Sequence, residues 1–388
     1  MLALPALKSN RASVGLAACL LGLALLAVSA AGAHPMELDA MSVAEHYRAA
    51  EPMREDPVAL IRDMASSPDV AVFPIQVVGP IVVSEAPGMN LSNKLALGPG
   101  DASIAVIYPD IGEPYRSVFA QIIEGIESKA KAPVANYPVG ANVDVGELKN
   151  TLRRQDTRVV IALGRQGLKI ASMLDRNIGV VVAGVLSAPE NEARDFPIIN
   201  LTPDPALLFS RMKGLMPGTR RIFAVYDPRH NGWLMRLAKE AARSQGIELV
   251  LYEAQDLRNA MRAYQEILAT VDSRQDALWL PQDSTTVEES TVLPMVLQES
   301  WNRNLAVFSS NFSHVKRGVL FSLYPNNVDL GRRLAGSAQG FLNTGDFAVR
   351  GMLPLREVLM AVNLRTAKHI GCNPGRQSQG FDLVFPEQ

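Results

Sequence analysis

The sequence predicts an α/β fold of two lobes, in which parallel sheets flanked by helices are joined by a hinge. From Ala102 onward, short β-branched runs alternate with helical patterns, which is typical of βαβ units around a parallel sheet. The alternation occurs twice, on either side of the proline-rich segment Leu201–Pro205. The chain has 388 residues, and at about 100–200 residues per domain this length suits two lobes.

Lobe one is predicted from the first set of apolar runs. Its first helix follows from five apolar residues that share one face at 3.6 residues per turn. These are Val118, Phe119, Ile122, Ile123 and Ile126. The strands predicted for this lobe are Ile104–Tyr108, Val159–Leu163 and Val180–Ala183.

Lobe two is predicted from the second set, and the chain is expected to cross between lobes again near Pro325-Asn326-Asn327. Its predicted strands are Ile222–Tyr226, Leu249–Tyr252, Leu278–Leu280 and Val307–Ser309, and its predicted helices are Trp233–Ser244, Leu257–Ala269 and Val287–Asn302. We therefore expect lobe one at residues 101–203, completed by part of 327–370, lobe two at 204–326, and a C-terminal tail at 371–388.

The first 33 residues are typical of a secretory signal peptide. Lys8 and Arg11 precede an apolar run from Val14 to Val28, and Ala31-Gly32-Ala33 is a small-residue cleavage site before His34. The run of about 15 residues is shorter than the roughly 18 that a membrane span requires. A lipoprotein processed at Cys19 and a retained anchor are the alternatives. Residues 34–100 are expected to be an extension and linker, to which the sequence assigns no chemistry.

Composition excludes several classes of protein. The sequence holds 38 basic and 39 acidic residues, and residues 1–33 account for two basic and no acidic ones, which leaves 36 and 39. This slightly acidic balance argues against a nucleic-acid partner and against a polybasic membrane surface. Of the two cysteines, only Cys372 remains after cleavage, so we expect no disulfide within the mature chain and stability from packed apolar cores.

Candidate ligand contacts lie in six polar loops that follow predicted strands, because ligands of open parallel sheets bind at the carboxyl ends of strands. The simpler interpretation of each loop is a helix cap, for which Asp, Ser and Asn are the usual residues. The residues we select from these loops are Tyr108, Asp110, Gly164, Arg165, Gln166, Ser187, Asp227, His230, Asn231, Asp283, Ser284, Ser310 and Asn311.

Two patches of the chain resemble a known family. The stretch Ala306–Leu334 contains an Ala-Val-Phe strand, the run Val315-Lys316-Arg317-Gly318, a second strand predicted at Gly318–Leu323, and a helix opened by Asp329-Leu330-Gly331-Arg332. The second patch is Val362–Lys368. In order and spacing they resemble the substrate-binding proteins of ABC transporters of the tryptophan or aromatic-amino-acid type, over roughly residues 102–370. The resemblance implies a type I periplasmic-binding-protein-like fold.

The resemblance also implies roles for individual residues. The family's Gly-Thr-Pro-Ala run, whose helix N-terminus holds the ligand, corresponds to Gly164–Gly167, where Arg165 departs from the pattern and either strengthens anion binding or points to solvent. The family's aspartate in Pro-Thr-Asp-Asn corresponds to Asp283, a candidate partner for a ligand ammonium. The run Asp227–Gly232 matches a further family loop loosely. The family's aromatic pair is replaced by Asn327 and Val328, which argues against an aromatic ligand.

Enzyme motifs of the common hydrolase, nucleotide-binding and zinc-protease types are absent from the sequence. The Ser-x-x-Lys spelling at Ser313–Lys316 lacks its partner motifs, and the five histidines have no metal-ligand spacing. We therefore expect a periplasmic solute-binding protein of an ABC importer, a monomer without cofactor that delivers a small solute to a permease with an ATPase subunit. The alternatives are a sensory module that reports to a membrane receptor, a sugar-responsive repressor and a secreted hydrolase.

Overall fold

The computed structural model describes residues 104–186, 196–372 and 380–386. The expected signal peptide, the segment 34–100 and the candidate Ser187 lie outside these ranges. The first part of the chain contributes β1 (Ile104–Pro109), α1 (Tyr115–Lys129), β2 (Val134–Val139), α2 (Val145–Arg154), β3 (Val159–Leu163), α3 (Gly164–Ala171), β4 (Gly179–Val185) and β5 (Pro197–Pro203).

The middle of the chain contributes α4 (Pro205–Leu215), β6 (Arg221–Tyr226), α5 (Pro228–Ser244), β7 (Glu248–Glu253), α6 (Leu257–Thr270), β8 (Asp276–Leu280), α7 (Val292–Asn302), β9 (Ala306–Ser309), α8 (Ser313–Arg317) and β10 (Phe321–Pro325). The last part contributes α9 (Asn327–Thr344), β11 (Gly351–Leu355), β12 (Val358–Asn363), α10 (Leu364–His369) and β13 (Leu383–Phe385).

These strands form two sheets, which define the lobes. Lobe one is built on a six-stranded sheet in the order β11-β5-β4-β3-β1-β2, and all of its pairings are parallel. Lobe two is built on a seven-stranded sheet in the order β13-β12-β10-β9-β8-β6-β7. The strands from β7 to β10 pair in parallel, whereas β12 pairs with β10 in the antiparallel sense. The prediction of an α/β fold with parallel sheets flanked by helices is confirmed.

Each sheet carries helices on both faces, because its strands are apolar on both sides. In lobe one, Val106 and Ile161 pack with α1 and α9, whereas Ala105 and Val160 pack with α2 and α3. In lobe two, one face packs against α4, α5 and α10, and the other against α6 and α7. Trp279 is fully buried on the first of these faces.

Within the described ranges, the chain crosses between the lobes three times. It leaves lobe one after β5, returns after β10 to form α9 and β11, and crosses again between Leu355 and Val358 to add β12 to lobe two. From the sequence we expected crossings at Leu201–Pro205 and near Pro325-Asn326-Asn327 and did not expect a third. The third also explains the antiparallel sense of β12, because this strand starts at the junction where β10 ends.

The crossing segments bond to one another. The backbone N–H of Asp204 donates to the Leu355 carbonyl at 2.8 Å, and that of Asn326 donates to the Glu357 carbonyl at 2.9 Å. Two ion pairs reinforce these bonds, between Arg356 Nε and Asp204 Oδ2 and between Arg333 Nη1 and Glu357 Oε2, both at 2.9 Å. The three segments therefore form one connected junction.

Several element boundaries differ from the sequence predictions, for local reasons. The helix expected to open at Asp329 begins at Asn327, because Asn326 caps it by accepting from the Asp329 backbone N–H at 3.1 Å. The helix expected from Val287 begins at Val292, because the Glu288 carboxylate accepts from the backbone N–H groups of Ser290 and Thr291 and holds a turn there. Within the described ranges, no helix combines the length and hydropathy of a membrane span.

Candidate functional site

The carboxyl ends of both parallel sheets face the junction between the lobes. The strand β5 ends at Pro203 and β10 ends at Pro325, each at a crossing, and residues of these two strands approach one another. Because the neighbouring strands run parallel to β5 and β10, their carboxyl ends lie on the same side. The described candidates lie at the carboxyl ends of β1, β3, β6, β8 and β9 or directly after them.

Two glycines allow the backbone to turn from the end of β3 directly into α3. Gly164 has φ of 71° and Gly184 has φ of 78°, values that glycine adopts without strain. A Cβ on Gly184 would lie 3.2 Å from the backbone nitrogen of Gly164, so a side chain there would crowd the first turn of α3. The residue before this helix is Leu163, which gives it no side-chain cap. Its first N–H groups are therefore available to an anionic group.

The other lobe-one candidates surround this helix start. Arg165 is half-buried in the first turn of α3, and Gln166 Nε2 donates to the Gly140 carbonyl. Asp110 is exposed, and its backbone N–H donates to the Val139 carbonyl at 2.9 Å. The Tyr108 ring packs against Phe119 with a centroid distance of 6.4 Å, and burial, followed by the charge of Asp110, raises the pKa of its phenol. The lobe-one candidates thus supply a cation, a helix N-terminus and the exposed carboxylate of Asp110.

Asp283 holds the loops after β6 and β8 together. The residue is 6% exposed. Its Oδ2 accepts from the backbone N–H of Asp227 at 2.7 Å and from Asn231 Nδ2 at 2.9 Å, and its Oδ1 accepts from the backbone N–H groups of Thr285 and Thr286 at 3.0 and 3.1 Å. A ligand ammonium would have to displace one of these donors, so the geometry favours a structural role for Asp283 over the ammonium contact expected from the sequence.

Asp227 is likewise occupied within the protein. It caps α5 by accepting from the backbone N–H of Arg229 at 2.9 Å, and the Arg229 guanidinium donates to both of its oxygens, at 2.5 Å for Nη2 to Oδ2. These bonds lower the pKa of Asp227 to about 2. His230 Nδ1 lies 3.4 Å from Asp227 Oδ2, while 60% of the His230 side chain is exposed. Arg229 and His230 are therefore the exposed groups of this loop.

The loop after β9 likewise contains one residue that belongs to the core and one that stays partly accessible. Ser310 is buried, and its Oγ accepts from Trp279 Nε1 at 3.0 Å, so it belongs to the core. Asn311 is half-buried, and its Oδ1 accepts from the backbone N–H of Ser313 at 2.9 Å. Ser284, in the loop after β8, is exposed. Asp227, Asn231, Asp283 and Ser310 therefore shape the loops, while His230, Ser284 and Asn311 keep polar atoms for other contacts.

Gln282 is a candidate that the selection from sequence left out. Its Oε1 is buried and has no hydrogen-bond partner among the residues the structure describes. A buried unpaired acceptor at a strand end is unusual in a folded protein. Its position between Pro281 and Asp283, in the polar loop after β8, could have identified it as a site candidate from the sequence. In the described ranges, no three His, Cys, Asp or Glu side chains are grouped in a way that could hold a metal ion.

The two patches that carry the family resemblance contact each other. Asn363 Nδ2 donates to the Val315 carbonyl, and Thr366 Oγ1 donates to the Gly318 carbonyl, both at 2.8 Å. They fix α8 against α10, behind the loop that contains Ser310 and Asn311. Gly331 serves packing, because a Cβ there would overlap the Ile122 carbonyl of α1. These contacts between the two patches therefore support the loop that contains Asn311.

The sequence profile of the family described as ABC transporter substrate binding protein matches residues 125–345, more than half of the chain. The chain belongs to this family. Its members are solute-binding, non-enzymatic proteins that serve ABC transporters and are typically located outside the cytoplasm. The resemblance stated from the two patches is thereby confirmed.

One solved structure with a TM-score above 0.5 agrees with the fold, and two others are similar at lower scores. The ligand-free, open structure of a substrate-binding protein with adhesive properties from Clostridium difficile matches with a TM-score of 0.52 and 14% identity, over 73% of this chain and 99% of that one. A conserved domain protein from Vibrio cholerae shares 17% identity at a TM-score of 0.44, with 73% and 99% coverage. An ABC domain in complex with L-Trp from Streptococcus pneumonia shares 15% identity at 0.44, with 74% and 100% coverage. A search of curated protein sequences returned no match.

Proposed function

We propose that this substrate-binding protein captures a small solute between its lobes and delivers it to the permease and ATPase of an ABC importer. The observation that supports the proposal is that the carboxyl ends of both parallel sheets face the same junction. Polar loops lie on both sides of this junction, and the crossing segments are bonded to one another. This arrangement suits a hinge that closes the two lobes on a solute. The protein acts as a monomer and needs no cofactor.

The exposed polar groups suggest the chemistry of the solute. On lobe one, the uncapped start of α3 at Gly164 and the adjacent Arg165 suit a carboxylate, and Tyr108 and Asp110 supply polar contacts near it. On lobe two, His230, Gln282, Ser284 and Asn311 supply hydrogen-bonding groups. We therefore propose a small, amino-acid-like solute whose anionic group binds at α3. Ser187, which follows β4 in sequence, stays a candidate of the same site.

The site of action is the periplasm, after cleavage of residues 1–33. This follows from the signal-like sequence and agrees with the typical location of the family. We expect the mature protein to begin at His34. Mass spectrometry that finds a lipid on Cys19 or an intact Met1 would contradict this location.

A thermal-shift screen of a metabolite library with the mature protein tests the proposal. A solute at about 100 times its dissociation constant should stabilise the folded protein by roughly 2.7 kcal/mol. Replacing Arg165 with alanine should then weaken binding by about 10- to 100-fold, because it removes a charged hydrogen-bond donor.

The matched control is Arg176→Ala, an exposed arginine between α3 and β4, which precedes the amino end of β4. This variant should bind like the wild type. Equal loss in both variants, or no loss in Arg165→Ala, would remove Arg165 from the site. A complete library without any stabilising small solute would count against capture of such solutes.

A further inference from the structure

Three aromatic rings connect the C-terminal strand β13 to the loop after β9. Phe312, the last residue of this loop before α8, has its ring centre 6.0 Å from that of Phe385 in β13. The ring of Tyr324, near the end of β10, lies 4.9 Å from Phe312 at an angle of 52°. Aromatic rings attract one another at such distances and tilts. Phe312 therefore attaches the loop to two strands that are distant from it in sequence.

The strand β13 is fixed to the sheet by its own backbone bonds. It pairs in parallel with β12, where Phe385 stands opposite Asn363. Directly before the strand, the backbone N–H of Asp382 donates to the Met360 carbonyl at 2.9 Å, and Asp382 Oδ2 accepts from the backbone N–H of Met360 at 2.7 Å. These bonds hold β13 without any help from the loop after β9.

Phe385 is the fixed member of the ring pair, and Phe312 is the member that belongs to the loop. Phe385 is 5% exposed and packs in one apolar cluster with Val315 and Ala361. The Lys316 ammonium lies 5.5 Å from the centre of its ring, a distance at which a cation is attracted to an aromatic face. Phe312, by contrast, is half-buried. A ring fixed on the sheet thus restrains a ring carried by a loop.

The candidate Asn311 lies between two anchors of this loop. On one side, the backbone N–H of Ser310 donates to the Leu280 carbonyl at 2.9 Å and ties the loop to β8. The Asn311 side chain bonds within its own turn, since Oδ1 accepts from the backbone N–H of Ser313 at 2.9 Å. On the other side, the anchor is the Phe312 ring. The position of the Asn311 amide relative to the sheet therefore depends on what holds Phe312.

We propose that Phe385 is a positioning residue of the solute site, which holds Phe312 and thereby fixes the loop that carries Asn311. The C-terminal strand would then be part of the binding machinery of lobe two, although it makes no contact with the solute. The bearing on solute binding rests on the proposed function. The restraint on the loop does not, because it concerns the protein without solute.

Hydrogen exchange of the solute-free mature protein, followed by mass spectrometry, tests the restraint. Phe385→Leu keeps an apolar side chain but removes the ring, and exchange in residues 309–313 should rise about 2- to 10-fold, as expected for the loss of one aromatic pair. Phe312→Leu removes the same contact from the loop side and should give a similar rise, while residues 383–385 should exchange as slowly as in the wild type.

The matched control is Val384→Ala. Val384 is a half-buried neighbour of Phe385 in β13, and neighbouring side chains of a strand point to opposite faces. This variant should leave exchange in 309–313 unchanged. Affinity falls with the fraction of protein that holds the binding-competent loop position. The solute identified by the screen should therefore bind about 2- to 10-fold more weakly to Phe385→Leu and with wild-type affinity to Val384→Ala.

Unchanged exchange in Phe385→Leu, an equal rise in Val384→Ala, or wild-type affinity of Phe385→Leu for the screened solute overturns the inference. If Phe385→Leu fails to fold, Phe312→Leu decides by the same measurements. A solute screen without a hit would leave the exchange result intact and would count only against the proposed function.

Discussion

At the scale of single residues, carboxylates that follow strands have two roles that look alike in sequence. Asp283 and Asp110 each follow a buried strand, yet Asp283 accepts four hydrogen bonds while Asp110 is exposed. The difference arises from partners such as the backbone N–H of Asp227, which comes from a different strand of the sheet. A role that depends on such distant partners is not predictable from local pattern.

We expect Asp283→Ala to destabilise the protein by about 2–4 kcal/mol, because it leaves buried donors of two loops without an acceptor. Chemical denaturation measures this change. The control Ser284→Ala removes an exposed hydroxyl and should stay within about 0.5 kcal/mol of the wild type. If Asp283→Ala instead kept its free energy of unfolding and lost only the stabilisation by solute, the ammonium contact expected from the sequence would be right.

The Asp227–Arg229 pair leads to a prediction about acid unfolding. Since the folded-state pKa of Asp227 is lowered to about 2, its contribution to stability is present above about pH 4 and lost as the pH falls toward 2. Arg229→Ala should raise this pKa and move the acid-unfolding midpoint to higher pH, followed by circular dichroism. Arg236→Ala, an exposed arginine on α5 with no ion pair in the described structure, should leave the midpoint in place. Equal midpoints in both variants would contradict the assignment.

At the scale of elements, the sequence predicts strands that are apolar runs, whereas the central strands β5 and β12 and the edge strands β2, β11 and β13 were not predicted. The strands β1, β3, β6, β8 and β9 are continuous apolar runs, as expected for strands buried on both faces. The edge strands β2 and β11 contain Pro138 and Pro354 and are partly exposed. Neither the alternation of apolar and polar residues nor the composition therefore indicates these two strands. Edge positions tolerate proline because one side of the strand makes no ladder hydrogen bonds.

The crossing of α1 and α9 yields a test at this scale. A Cβ on Gly331 would overlap the Ile122 carbonyl, and one on Gly125 would overlap the Val328 carbonyl. Backbone atoms cannot move aside cheaply, so we expect Gly331→Ala to destabilise lobe one by about 1–3 kcal/mol or more.

Gly336 on the same helix has open space where a Cβ would stand. The control Gly336→Ala should therefore be neutral or stabilise the protein by up to about 1 kcal/mol. Equal unfolding free energies for Gly331→Ala and Gly336→Ala would show that the helices do not approach as closely as described.

At the scale of the whole molecule, the three bonded crossings predict one mode of motion. Because Asp204, Asn326 and their partners Leu355 and Glu357 bond to one another, the lobes should close about a single junction. Small-angle X-ray scattering should show a smaller radius of gyration with a saturating solute from the screen. Arg165→Ala should require an about 10- to 100-fold higher solute concentration for the same change. Superimposable curves for the wild type with and without solute would contradict closure.

The third crossing also determines how the gene could be divided. Lobe one pairs β5 with β11, and lobe two pairs β10 with β12 and β12 with β13, so each lobe is assembled from separate stretches of chain. A fragment that stops at Pro203 lacks α9 and β11, and one that stops at Pro325 lacks β12, α10 and β13. Neither lobe can be expressed alone as one continuous segment, and an isolated lobe would require splicing across the junction.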